Sequence, residues 1–256
     1  MPRLGYFPHV KLAVLFAFVA CAAPPATAPR NAATVDATDG ADDDPEDPSD
    51  QLPVAPPVTS EPIDGHALLA EAERELAAMR TSHYAHHTHV DEASGVFDFD
   101  CSGFVGYALS RISPDALRVI AERTQRSRPL AKHFEAALAA PEAPWQAVPR
   151  VDDVRPGDVI TWLEPADVAS RNTGHVMIAA STPHPGRRAD ELVIAVIDSS
   201  HSEHGPKDTR HAGHANGLGR GEIVVVVDDA RRPVGYRWST LRHSAAHRTA
   251  IAIARI

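Results

Sequence analysis

The chain has 256 residues, 43% hydrophobic and 23% charged, with 22 Pro, 15 Gly and only 2 Cys. That is enough apolar sequence for one or two globular domains, and too few cysteines for a disulfide-stapled miniprotein or a zinc ribbon. Residues 22–62 hold nine acidic residues against one basic residue, whereas 63–256 carry 25 Asp plus Glu against 22 Lys plus Arg. This near-balance, with no basic stripe to neutralise phosphates, excludes nucleic acid as the expected partner.

Taken in chain order, residues 1–20 carry Arg3 and Lys11 and then the apolar run Leu12–Ala20, which ends at Cys21. The layout is that of a secretory signal peptide, and nine apolar residues fall well short of the roughly 20 that span a bilayer. Phe18-Val-Ala-Cys21 resembles a bacterial lipobox, in which the cysteine is lipidated and becomes the new first residue. That resemblance implies a diacylglycerol anchor on Cys21, and Ala22 after it implies an outer-membrane lipoprotein facing the periplasm or cell surface. Residues 21–62, rich in Pro and Asp, cannot bury enough apolar surface to offset ordering entropy and read as a disordered, extended tether.

The composition turns globular at 63–256, a single expected domain. Leu68, Leu69, Ala72, Leu76 and Met79 recur at helical spacing over 67–79, with Asp64 as a cap. A second helix begins at Cys101, capped by Asp100, with Phe104, Val105, Ala108, Leu109 and Ile112 on its apolar face. Two more helices follow Ser113-Pro114 and Pro129, within 114–140. After Pro156-Gly157 the period becomes that of strands, at 158–163, 175–180, 191–198, 222–228, 234–238 and 249–254. Helices first and antiparallel strands second predict an α+β domain.

The exported body has one cysteine, Cys101, which cannot pair within its own domain and sits at a predicted helix N-terminus. Unpaired amides and the positive dipole end there favour a thiolate, so a depressed thiol pKa and a nucleophilic role are expected. Asp100-Cys-Ser-Gly-Phe-Val105 resembles the nucleophile motif of the NlpC-type cell-wall cysteine peptidases. Arg155-Pro-Gly-Asp-Val-Ile160, Gly174-His-Val-Met-Ile178 and Val196-Ile-Asp-Ser199 follow in the family's order. The resemblance covers roughly 66–200 and implies a papain-like fold in which 114–140 is a helical insertion walling one side of the cleft. It implies Cys101 as nucleophile, His175 as general base and Asp198 as orienter, with His201 as the alternative third residue. It also implies that Tyr84 and Asp100 bind the free amino end of the substrate, with Ser102 beside them. The implied substrate is an amide or peptide bond in peptidoglycan stem peptides, and the implied chemistry uses neither cofactor nor metal. Family members commonly carry His, Asn or Gln where Asp198 stands, and Trp-Gly-Gly where this chain has Ala85-His86-His87.

Two histidine clusters, His83, His86, His87 and His89, then His201, His204, His211 and His214, leave a second class of function open. In that reading the chain is a lipoprotein that binds zinc or copper through His201 and His204, or an inactive protein that binds the cell wall. The loop from 199 to 205 is expected to rim the site whichever reading holds, with Lys207 and Arg210 beyond it placed to meet a carboxylate-rich peptide.

Overall fold

The computed structural model describes residues 65–168, 170, 172–212 and 216–256. The signal segment, Cys21, the tether, Asp64 and His214 lie outside the described residues. Among the described residues four α-helices are present: α1 Gly65–Ala78, α2 Cys101–Ile112, α3 Pro114–Thr124 and α4 Ala131–Leu138. A small hairpin, β1 His89–Asp91 and β2 Val96–Asp98, separates α1 from α2. The remaining strands are β3 Gln146–Ala147, β4 Val159–Leu163, β5 Gly174–Ala179, β6 His184–Pro185, β7 Glu191–Ser200, β8 Gly217–Val227, β9 Pro233–Arg237, β10 Ala246–Arg248 and β11 Ile251–Arg255. They form one antiparallel sheet in the order β10-β9-β8-β7-β5-β4-β11-β3, with β6 added beside β7. The architecture is therefore α+β, and among the described residues no helix is long and apolar enough to cross a membrane.

Alternation along the strands explains how the sheet is covered. Val159, Val176, Ile178, Ile197 and Leu218 face the helices and meet Leu68, Phe104, Leu109 and Phe134 in one core. Ile160, Trp162, Met177, Val196, Ile223 and Tyr236 face the other way, into a second apolar layer closed by Val148, Val151 and Val154. A fully buried side chain of this kind contributes about 1.5–3 kcal/mol, which accounts for strands with no polar face.

Strand β8 starts five residues earlier than the pattern predicts, because Gly217, Gly219 and Gly221 read locally as loop. Opposite β7 they form regular pairs, Gly217 with Ser200, Gly219 with Asp198 and Gly221 with Val196. The ladder between β5 and β7 is short, Ile178 with Ile197 and Ala179 with Val196, so the start of β5 and the end of β7 are free for other partners. The site forms there.

Candidate active site

The nucleophile position is built by α2. Asp100 has the extended backbone of an N-cap, and its Oδ1 accepts from the Gly103 amide at 2.7 Å and the Ser102 hydroxyl at 2.9 Å. Its Oδ2 pairs with Arg128 at 2.6 Å and faces His86 Nδ1 at 3.6 Å. Burial raises the Asp100 pKa, but His86, Arg128 and the Gly103 amide together bring it down to about 2. Ser102 is buried, and its hydroxyl donates to Asp100. The helical insertion does not line the cavity described below; it delivers Arg128 behind the nucleophile.

Cys101 is free and 3% exposed. The expected depression of its pKa is reversed. Burial pushes the thiol up and the Asp100 charge pushes it further, while a hydrogen bond from the Val176 amide opposes them. Arg128 also favours the thiolate, but burial and the Asp100 charge outweigh it and the helix N-terminus.

Gly174 places His175. Its φ is +145°, and a Cβ there would lie 2.0 Å from the Trp162 carbonyl oxygen, so only glycine lets β5 begin against β4. His175 then points with Met177 to the face opposite α2, where its Nε2 lies 2.6 Å from Asp198 Oδ2. No hydrogen bond to His201 competes; His201 is exposed and meets the Tyr84 ring edge-on at 6.0 Å. A carboxylate only accepts, so His175 Nε2 carries the proton and Nδ1 keeps the basic lone pair. Burial lowers the His175 pKa and outweighs the opposing pull of Asp198.

Asp198 is wholly buried with three donors: His175, His204 Nε2 at 2.9 Å and Arg210 Nη2 at 2.9 Å, the last on Oδ1. Although burial raises its pKa, Arg210 and the two histidines hold it well below the ordinary carboxylate range. Arg210 also pairs with Asp208 at 2.6 Å and has no exposed surface, so it does not meet a peptide carboxylate; Lys207 faces Glu222 at 3.3 Å. Sequence reasoning missed this support for Asp198. Its trace is the alternation of Gly217, Gly219 and Gly221, which vacates one face of β8 just where His204, Asp208 and Arg210 pack.

Cys101, Asp198 and Tyr84 lie within electrostatic reach of one another: the Asp198 charge raises the pKa of both the Cys101 thiol and the half-buried Tyr84 hydroxyl. Burial is the larger cause for each. Cys101 and His175 share no hydrogen bond; they are linked through the chain, by the Val176 amide on the sulfur and the His175 ring on the other face. Beside His175 opens a cavity of about 270 Å³ whose lining includes Tyr84, Trp162, His201, Tyr236 and Trp238. Trp162 and Tyr236 stack at 4.1 Å, giving it a rigid aromatic wall.

Among the described residues, the histidine clusters do not converge as a metal cage. His83 and His89 face Asp98, and His86 faces Asp100. Among the described residues, His175, Asp198 and His204 alone bring three ligand atoms within 4.8 Å. Their contacts of 2.6 and 2.9 Å are hydrogen-bond lengths, shorter than the about 3.3 Å between ligands of a tetrahedral zinc with bonds near 2 Å. Arg210 also puts a cation on the same carboxylate. No family model, curated protein or solved structure matches the chain.

Proposed function

We propose that the protein is an exported, lipid-anchored cysteine hydrolase that cleaves an amide or peptide bond in peptidoglycan stem peptides, on a papain-like variant of the α+β fold. The observation that carries this reading is a lone buried cysteine at a capped helix N-terminus, bonded by the amide next to a histidine that a buried aspartate orients. The resemblance to NlpC-type peptidases supplies the substrate class, and the lipobox-like Phe18–Cys21 supplies the anchor.

In this reading the resting site is neutral, with a thiol on the α2 side of β5 and an imidazole on the other. The Cys101 sulfur attacks the carbonyl carbon as its proton passes to His175 Nδ1. His175 returns that proton to the departing amine nitrogen, leaving a thioester. Water then gives a proton to His175 and its oxygen to the carbonyl, and the proton returns to sulfur as the acid leaves. In this reading the Cys101 amide, in the first turn of α2, holds the oxyanion. In the unliganded chain the His175 ring lies across β5 from the sulfur, so this proton transfer requires substrate binding to bring the two groups within reach.

The test is incubation of the full chain and its Cys101→Ala variant with purified peptidoglycan and stem tetrapeptides, with products read by mass spectrometry. Cleavage by the parent and none by the variant is expected. Binding without cleavage, or cleavage that survives the substitution, refutes the assignment.

A further inference from the structure

The chemistry above does not use His204, yet among the described residues no histidine is more deeply held. Its side chain has no exposed surface. Nε2 lies 2.9 Å from Asp198 Oδ2, the same oxygen that faces His175, and Nδ1 lies 2.9 Å from the Trp238 carbonyl oxygen. A peptide carbonyl can only accept, and so can an ionised carboxylate. A neutral imidazole has one N–H to give, and His204 faces two acceptors.

We propose that His204 is a doubly protonated imidazolium and a positioning residue for His175, fixing the shared Asp198 oxygen and placing a positive charge against the His175 ring. The surrounding charges close around this assignment. Asp198 approaches from β7, and Asp208 accepts the His204 amide at 2.8 Å. Arg210 joins both carboxylates from the following 3-10 turn, Thr209–Ala212. From β5 comes His175, its ring 6.4 Å away, and from beyond β9 come the Trp238 ring at 4.2 Å and its carbonyl. Two cations, His204 and Arg210, then balance two anions, Asp198 and Asp208. His175 is left neutral at rest, with Asp198 orienting its ring more than charging it.

The purpose assigned to His204 rests on the hydrolase reading, but its measurement does not. Ring ¹⁵N spectra of the full chain with labelled histidine, recorded between pH 6 and 8, count the protons on each ring. Two protonated nitrogens on His204 are expected. In His204→Gln, whose amide can donate to Asp198 without charge, the His175 midpoint should rise by about one pH unit, because a facing cation is gone. The acid limb of kcat/KM should move up with it, and kcat should fall more than KM changes. A His204 ring with one protonated nitrogen, or a His175 midpoint unmoved in a folded His204→Gln, overturns the proposal. Should that variant not fold, the spectrum of the unsubstituted chain decides alone. Failure to detect any hydrolysis would sink the hydrolase reading and leave both ring measurements to stand or fall on their own.

Discussion

Gly219 stands opposite Asp198 in the β7–β8 ladder, and its missing side chain is the space that Arg210 fills: a Cβ there would lie 2.5 Å from Arg210 Nε and 2.8 Å from Cγ. Gly221 does the same for Asp208 and His204, at 2.5 and 2.7 Å. Because Arg210 is buried and tied to two carboxylates, it cannot swing away as a surface arginine would. Gly219→Ala is therefore expected to destabilise the fold by about 1–3 kcal/mol, as overpacking does, and to reduce turnover. Urea denaturation measures the first effect; a variant as stable as the parent would show that Arg210 is not wedged against β8.

What could be read from sequence, and what could not, divides along the same line. The cap at Asp100, the helix after it and strands β4, β5 and β7 follow from local pattern, because each carries its own period and stop signals. Hairpin β1–β2 was missed: its strands are three residues long and half polar, with His89, Asp91 and Asp98 against Val90, Val96 and Phe97, so they are too short for a period to announce them. The pairing of His175 with Asp198 follows from motif order. The Arg128–Asp100 pair and the His204–Asp198–Arg210 network are tertiary; the second leaves a sequence trace only in glycine spacing, and the first leaves none. The thiol pKa was misread for a related reason. A helix terminus is visible in sequence, but the burial that outweighs it is not.

Thiol labelling tests that correction. With burial and Asp100 both raising its pKa, Cys101 of the native chain should alkylate with iodoacetamide at pH 7 at least about tenfold more slowly than a free thiol of pKa roughly 8.5. The rate should still be rising at the most alkaline pH the fold tolerates. A plateau reached below pH 8 would mean a stabilised thiolate at rest, and the neutral resting pair would be wrong.

Arg128 provides a second handle on the nucleophile. Asp100 and Arg128 are each 7% exposed in their side chains, so Arg128→Met leaves a buried carboxylate without its strongest cation, a change that commonly costs about 3–5 kcal/mol. The pH dependence has a definite sign. Asp100 titrates near 2 when folded and near 3.9 when unfolded, so its stabilisation is complete above about pH 4 and is lost as pH falls toward 2. In Arg128→Met the folded value rises, and the urea midpoint should begin to drop at a higher pH than in the parent. Parallel acid profiles would remove Asp100 from the account.

Glu75 carries the opposite sign. It lies fully buried on α1, and neither carboxylate oxygen has a hydrogen-bond partner. Burial, reinforced by the charge of Glu71 and opposed by Arg74 and Arg111, raises its pKa well above the ordinary value. The folded chain thus holds a proton that the unfolded chain releases above about pH 4.3, and stability declines from there as pH rises toward the folded pKa. Glu75→Gln should flatten that decline and leave stability at pH 4 nearly unchanged. Glu75→Met, which also removes the unsatisfied polar atoms, should be more stable than the parent at pH 8 by at least about 1 kcal/mol. Thermal denaturation at pH 4 and pH 8 separates the two effects, and a Glu75→Met chain less stable than the parent at pH 8 would mean that the carboxylate has a structural partner.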